Sequence, residues 1–256
     1  MVDLVIWLII FLFGSIIGSF LNVCIFRIPK EESIVFPGSH CGSCNTRLKG
    51  KDLVPIISFL ALKGKCRYCY DKVSIQYPLI EVATGILFVI VYLKFGLSIE
   101  FFKFVTLTSI LLVIGIIDYK TQYVYSSLIM TGIILGIIFL TITLITGEKL
   151  NLINAAIGAL IPAMILAIIV WTTNGMGWGD VEIIFMIGIF LGLRLNLLNL
   201  FISIILGGVY AIYLIIFKKR NGKEAIAFGP YIVAATFITF ICGNQILDWY
   251  LGNFFY

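Results

Sequence analysis

Long apolar runs separated by short polar segments cover nearly the whole chain. A helix that crosses the hydrocarbon core of a bilayer needs about 20 predominantly apolar residues. The candidate spans are residues 4–25, 78–95, 101–117, 124–146, 152–172, 181–193, 195–217 and 231–251. The sixth run is short and would rise only about 20 Å as a helix, so it depends on its neighbours to cross. The pattern predicts an all-α polytopic membrane protein with about eight transmembrane helices.

The composition agrees with this prediction. The chain is 61% hydrophobic and 12% charged, with a mean hydropathy of +1.11. An ordinary soluble domain has about 45–50% apolar and about 25% charged residues. A soluble domain is therefore excluded, and the one sizeable water-soluble piece is the loop of about residues 29–76, between the first two spans.

The basic residues predict an orientation. Of the 18 Lys and Arg residues, 14 fall in the segments 27–77, 119–123, 173–180 and 218–230, and the alternate segments contain only Lys94, Lys103, Lys149 and Arg194. Basic residues near span ends are retained in the cytoplasm. Both termini are therefore expected outside, with the 29–76 loop in the cytoplasm. The first span has no basic n-region and is followed by Arg27 rather than a cleavage site, so we expect it to be retained.

The 29–76 loop contains two C-x-x-C pairs separated by 21 residues, Cys41 with Cys44 and Cys66 with Cys69. Four thiolates close a tetrahedral metal site, which makes the site structural rather than catalytic. So small a loop cannot bury a large hydrophobic core, and it needs a bound metal or a similar cross-link to be stable. Two disulfides are disfavoured in the reducing cytoplasm. The spacing favours zinc or a similar metal over reduced, metal-free thiols, with His40 a bystander and Cys24 and Cys242 apolar span residues.

Two carboxylates stand at predicted span ends on the same membrane face. Asp118 closes the third span, and Asp180 follows Gly177 and Gly179 in a G-x-G-D sequence before the sixth span. Ionisable groups at membrane edges are costly and usually functional. A carboxylate pair can hydrolyse a peptide when one member activates water and the other, protonated, polarises the carbonyl. The only histidine lies in the 29–76 loop, so a Ser-His-Asp site is unsupported.

The two glycines suit such a site. Without Cβ atoms, Gly177 and Gly179 let a substrate strand approach the backbone, and they allow Asp180 to take the N-cap of the sixth helix. The simpler alternative is that Asp180 only caps a helix and that Asp118 is only a span-end residue solvated by headgroups. The motif alone does not separate these two interpretations, because short motifs recur by chance.

Several segments together resemble the type IV prepilin leader peptidase family. They are GSFLNVCIFRIP at 18–29, the paired C-x-x-C loop, QYPLIE at 76–81, Asp118, GWGD at 177–180 and AFGP at 227–230. The resemblance implies an aspartic membrane endopeptidase that removes the basic leader of prepilin-like proteins at the cytoplasmic face. It also implies N-methylation of the new amino terminus with S-adenosylmethionine. Glu182 stands where the family usually has a lysine, and residues 123–126 lack its Ile-Pro turn.

The resemblance also implies which part of the chain carries each of the two activities. Residues 1–95, the first two spans with the cysteine loop, are expected to transfer the methyl group, and residues 96–256 to form a six-span peptidase with Asp118 and Asp180 as catalytic groups. Glu81, Asn22 and Arg27 are the methyl-transfer candidates. We expect Glu81 to meet Asn22 or Arg27, although Arg27 is also explained as a cytoplasmic anchor.

Prepilins or pseudopilins are the expected substrates, and membrane lipid is the other expected partner. Lys120 and the cluster 218–220 would contact anionic lipid, and no nucleic acid partner is expected. Two other functions stay open from the residues: a proton-coupled transporter that uses the two aspartates as a relay, and a non-catalytic membrane assembly factor.

Overall fold

The computed structural model describes residues 2–146, 152–173, 175–218 and 226–254. Lys149, used in the predicted orientation, and Lys219 and Arg220, used in the predicted lipid contact, lie outside these residues. The helices are α1 (Val2–Arg27), α2 (Ile57–Ala61), α3 (Gln76–Phe95), α4 (Ile99–Thr121), α5 (Ser126–Ile145), α6 (Leu152–Thr173), α7 (Trp178–Lys218) and α8 (Gly229–Phe254), with short 3-10 helices at Ile28–Lys30 and Gly50–Asp52.

Seven of these helices are long and apolar enough to cross a membrane, all except the five-residue α2. Within the described residues the chain has no β-strand beyond two isolated bridges in the cysteine loop. The predicted all-α, multi-pass membrane architecture is confirmed. Six of the predicted spans each fall on one long helix, while the spans 181–193 and 195–217 both fall on α7.

Helix α7 is divided by a sharp break. Its 41 residues would measure about 60 Å if straight, twice the thickness of the hydrocarbon core. Gly192 has φ 73° and ψ 179°, which is not helical. The Asn196 side chain donates to the Ile184 carbonyl across 3.0 Å, whereas 12 residues of straight helix cover about 18 Å. The chain therefore turns back at Gly192. The two arms of α7 on either side of this break correspond to the predicted sixth and seventh spans.

The break at Gly192 and a proline in α6 each leave a backbone group without its helical hydrogen-bond partner. Polar side chains supply the missing hydrogen bonds. Pro162 lies inside α6 and has no N–H for the Gly158 carbonyl one turn earlier. The Asn196 amide donates to that carbonyl across 2.8 Å. At the break itself, the Leu193 N–H donates to the Asn154 side chain across 3.1 Å. Such compensation is required in hydrocarbon, because no water is present to satisfy backbone groups.

The chain separates into two compact units, Met1–Ser109 and Ile110–Tyr256, with the boundary inside α4. In the first unit, α1 packs against α3 through glycines. A Cβ at Gly14 would lie 2.9 Å from the Gly85 Cα, and a Cβ at Gly18 would lie 2.9 Å from the Glu81 Cα. Small residues let membrane helices approach this closely. The close approach brings Glu81 against the face of α1 that also carries Asn22.

Candidate functional site

Asp118 lies in the last turn of α4 and is 4% exposed. Its Oδ2 accepts a hydrogen bond of 2.9 Å from the backbone N–H of Gly229, the first residue of α8. A Cβ at Gly229 would lie only 2.7 Å from the same oxygen, so only glycine brings its N–H this close. The segment AFGP at 227–230 was part of the family resemblance, but its contact with Asp118 was not predicted.

Asp180 lies in the first turn of α7 and is 5% exposed. The Asp180 N–H donates to the Gly177 carbonyl across 3.1 Å, and Asp180 Oδ2 accepts from the Gly177 N–H across 3.2 Å. Gly177 is therefore the N-cap, and the predicted capping position of Asp180 is wrong by three residues. The carboxylate instead reaches back to the cap N–H, as the acidic member of a capping box does.

The two aspartates lie in the same unit, within electrostatic range of each other. Both are almost fully buried, and no ion pair of the described residues involves either one. Each carboxylate accepts one backbone N–H through its Oδ2. Within the described residues, no hydrogen bond uses Oδ1 of either group. The arrangement leaves one oxygen of each carboxylate for chemistry.

The two motif glycines have different surroundings. A Cβ at Gly179 would lie 2.7 Å from the Val124 Cβ, so this position needs glycine in order to pack. A Cβ at Gly177 would meet nothing closer than 3.9 Å. Gly177 alone therefore has free space beside its backbone, as a site for an approaching substrate strand requires.

Asn22 and Arg27 both lie on α1, facing the cysteine loop. Asn22 is 1% exposed, and its amide nitrogen donates to the carbonyls of Gly18 and Tyr77 across 3.2 and 3.1 Å. Its Oδ1 is buried without a hydrogen-bond partner among the described residues. Arg27 is buried as well and donates to the carbonyls of Ser33 and Gly38 across 2.7 and 3.3 Å. Arg27 therefore holds the start of the loop rather than only marking a membrane boundary.

Glu81 contacts the loop backbone instead of its predicted partners. Its Oε2 accepts the Ile56 N–H across 2.7 Å, and the Ser19 side chain also bonds to it. The expected contact with Asn22 or Arg27 is not among its hydrogen bonds. Ile56 has φ 63° and ψ −52°, with a 2.5 Å bond from the Ile57 N–H to the Pro55 carbonyl. This is a γ-turn that strains a β-branched residue, and no local sequence signal predicts it.

Asn22, Arg27 and Glu81 line one cavity of about 520 Å³ in the first unit. Its walls come from α1, α3 and the cysteine loop, including Cys41 and Cys66. A volume of about 300–1,000 Å³ is typical of small-molecule sites. The structure thus places the three predicted methyl-transfer residues in the lining of one cavity, although the expected hydrogen bonds between them are not formed.

The four loop cysteines form one cluster. Their sulfurs all lie within 4.8 Å of one another, and Cys41 and Cys69 are 3.8 Å apart. Tetrahedral zinc with S–Zn bonds of about 2.3 Å separates its sulfurs by about 3.8 Å. None of the six cysteines forms a disulfide bond in the structure. The cluster can hold a metal ion, as the paired spacing predicted.

The two cysteine pairs lie on matching turns. The Cys41 N–H donates to the Thr46 carbonyl and the Cys66 N–H to the Asp71 carbonyl, and each turn includes a residue with positive φ, Asn45 or Tyr70. The two turns repeat the same geometry. Each therefore presents its two thiols to the shared centre of the cluster.

Asp52 joins the second cysteine turn to the rest of the loop, a contact that the sequence did not suggest. Its carboxylate accepts from Arg67 Nε across 2.6 Å, from the Tyr68 hydroxyl across 2.9 Å and from the Lys49 N–H across 3.1 Å. The hydrogen bond from Arg67 lowers the pKa of Asp52 to about 2. The carboxylate is therefore ionised at any physiological pH, and this ion pair orients the turn.

Comparison with known proteins gives two family matches. The bacterial peptidase A24 N-terminal domain matches residues 12–95, and the type IV leader peptidase family matches residues 105–212. No solved structure matches the chain.

Several relatives are named prepilin leader peptidase/N-methyltransferase. The protein of Bacillus subtilis (strain 168) is 31% identical, over 95% of this chain and 97% of the relative. The protein of Neisseria gonorrhoeae is 32% identical, over 94% and 93%, and that of Pseudomonas putida is 28% identical, over 91% and 89%. The resemblance deduced from the motifs is confirmed, and the chain belongs to the type IV leader peptidase family.

Proposed function

We propose that this protein is a membrane aspartic endopeptidase that removes the basic leader of type IV prepilin-like proteins and N-methylates the new amino terminus. The observation that carries the proposal is the pair of buried carboxylates, Asp118 and Asp180, within electrostatic range of each other. Asp118, Asp180 and the glycine loop all fall in the part of the chain that matches the type IV leader peptidase family.

The free oxygens of the pair suggest how cleavage proceeds. Two carboxylates at short range share one proton, so one member is ionised and the other protonated. The ionised member takes a proton from a water held between the two Oδ1 atoms, and that water attacks the scissile carbonyl. The protonated member donates to the carbonyl oxygen as negative charge develops there. The N–H groups of Gly229 and Gly177 keep both carboxylates in place through their Oδ2 atoms.

The substrate has a basic leader followed by an apolar helix, so its cleavage point lies at a membrane face. The distribution of Lys and Arg supports placing Asp118, Asp180 and the cysteine loop at the cytoplasmic face, with both termini outside. Lys120 is exposed on the turn of α4 that carries Asp118, a position from which it contacts anionic lipid headgroups. These placements match the family's expected cleavage on the cytoplasmic side.

Methyl transfer belongs, in this proposal, to residues 1–95, and cleavage to residues 96–256. S-adenosylmethionine would supply an electrophilic methyl group. Of the described acidic residues, only Glu81 is buried between α1 and α3, where it can accept the proton that the substrate amine must lose. Asn22 and Arg27 line the same cavity and would hold the donor.

The cysteine cluster is proposed to hold one zinc ion with a structural role. Four thiolates leave no open coordination position for catalysis. The loop around the cluster has many exposed apolar side chains, such as Val35, Phe36 and Leu60. A loop with so little buried core gains much of its folding free energy from a bound metal.

The decisive experiment is cleavage by the purified protein in detergent. The substrate is a synthetic prepilin-like peptide with a basic leader and an apolar segment, and the product's amino terminus is determined by sequencing and mass spectrometry. A defined cut after the leader followed by a gain of one methyl group supports the proposal. Uptake of protons into vesicles without cleavage would favour a transporter, and neither activity would favour an assembly factor. Family membership does not favour these two alternatives.

A further inference from the structure

Three polar side chains are arranged in a row along the groove between α1 and α3. Glu81 lies beside Gly18 and Ser19, Asn22 lies about one turn further along α1, and Arg27 lies at the end of that helix. Eight residues of helix separate Ser19 from Arg27, a distance of about 12 Å. All three line the 520 Å³ cavity. The row therefore runs carboxylate, amide, guanidinium from its inner end to the cysteine loop.

Asn22 has one group to offer a ligand. Its amide nitrogen already donates hydrogen bonds to the carbonyls of Gly18 and Tyr77. Its Oδ1 is buried and accepts no hydrogen bond from the described residues. Buried polar atoms of folded proteins nearly always have a partner, and those without one call for an explanation. Because Asn22 lines the cavity, a ligand that donates an N–H there would satisfy this oxygen.

Arg27 has a positive charge without a carboxylate partner among the described residues. Its guanidinium has five N–H donors. Its two hydrogen bonds to described residues go to the neutral carbonyls of Ser33 and Gly38. The three ion pairs of the described residues do not include it. A buried cation is costly without an anion beside it. The remaining donors of Arg27 match a planar carboxylate.

We propose that the cavity binds the amino-acid part of the methyl donor in one direction along this row. The donor's carboxylate lies on Arg27, its ammonium group donates to Asn22 Oδ1, and its sulfonium end points toward Glu81. The order of these three groups along the donor is the order of their partners along the groove. The nucleoside part then occupies the rest of the cavity, toward the loop.

This inference rests on the proposed methyl transfer and adds the way in which the donor is recognised. Recognition through Arg27 and Asn22 requires the amino-acid part of the ligand. A nucleoside thioether that lacks this part should therefore bind weakly, although it fills much of the same space. The methyl group would face the end of the cavity where Glu81 can take the proton of the incoming amine.

Calorimetric titration of the full-length protein in detergent tests the direction of binding. S-adenosylhomocysteine retains the amino-acid part, and 5′-methylthioadenosine lacks it. We expect the first compound to bind the wild-type protein at least about tenfold more tightly, as one charge-assisted contact provides. Arg27→Gln should lower the affinity for S-adenosylhomocysteine by a similar factor and leave the affinity for methylthioadenosine unchanged. Lys51→Gln removes an exposed positive charge from the same loop, outside the cavity lining, and should alter neither affinity.

Methylthioadenosine also serves as the folding control, because its binding reports whether the cavity is intact. Equal affinities of the two compounds for the wild-type protein would overturn the inference, and so would an Arg27→Gln protein that binds both compounds as the wild type does. A parallel loss of both in Arg27→Gln would report a damaged cavity, and the comparison of the two compounds on the wild-type protein then decides. If the protein still methylates a processed prepilin in either of the first two cases, the proposed function stands and only the recognition by Arg27 is wrong. If the protein neither methylates nor binds S-adenosylhomocysteine, both are wrong.

Discussion

Gly229 donates its backbone N–H to the Asp118 carboxylate across 2.9 Å, and the two residues are 111 positions apart in the chain. The contact ties the start of α8 to the end of α4. A Cβ at Gly229 would lie 2.7 Å from the accepting oxygen, so the glycine is needed for the bond to form. A residue that takes no part in proton transfer therefore positions one of the two proposed catalytic groups.

Neutralising either aspartate should abolish cleavage. Asp118→Asn and Asp180→Asn keep the shape of each side chain but remove one acid–base partner, which typically contributes about 10²–10⁴-fold to the rate. Glu182→Gln is the matched control, because Glu182 is an exposed carboxylate two positions after Asp180. It should change the rate only severalfold. Initial cleavage rates at equal protein levels provide the measurement, and substantial turnover by either asparagine variant would contradict the assignment.

Gly229→Ala should impair cleavage while both carboxylates remain. The added methyl group would push Asp118 from its position, and a displacement of about 1 Å at a catalytic group can cost about 10²-fold in rate. Gly208→Ala is the control, since a Cβ at Gly208 would meet no atom within 4 Å. It should cleave at the wild-type rate. Full activity of Gly229→Ala would show that its contact with Asp118 is dispensable.

The cysteine cluster should hold one zinc ion per chain, with S–Zn distances of about 2.3 Å. Elemental analysis of the purified protein measures the stoichiometry. Cys66→Ser removes a buried ligand and should release the metal and raise hydrogen exchange in residues 29–76, because metal binding and folding are coupled. Cys242→Ser, in α8, should retain the metal. A wild-type protein without stoichiometric metal would refute the prediction.

Glu81→Gln should impair methylation and largely spare cleavage. Glutamine retains an oxygen that can accept the Ile56 N–H, so the strained turn at Ile56 keeps its partner while the proton acceptor is lost. Mass spectrometry of the processed amino terminus distinguishes the unmethylated from the methylated product. Glu100→Gln breaks the 2.8 Å pair with Lys103 on α4 and should affect neither activity.

Two outcomes would contradict the role of Glu81. Normal methylation by Glu81→Gln would reduce the residue to a structural partner of the Ile56 turn. Equal loss of methylation and cleavage would indicate a damaged fold rather than a separate site. Asp118→Asn should yield no methylated product at all, because the free amine is made only by cleavage.

The sequence by itself determined the membrane architecture and the candidate groups. Apolar runs of about 20 residues predict spans directly, because only a helix satisfies its own backbone in hydrocarbon. The two C-x-x-C pairs and the G-x-G-D motif are local patterns. Their spacing alone predicts a metal site and a candidate catalytic carboxylate. The division of α7 was also visible, because Arg194 interrupts its apolar run two residues from the break at Gly192.

Only the tertiary structure decided which distant groups meet. Asn196 satisfies the carbonyl that Pro162 leaves open, and Gly229 holds Asp118, through bonds between segments that have no shared pattern in the sequence. The partner of Glu81 was predicted wrongly because Ile56 adopts a positive φ that local propensity opposes. Such a conformation persists only where surrounding contacts outweigh its strain, and those contacts exist only once α1, α3 and the loop have packed together.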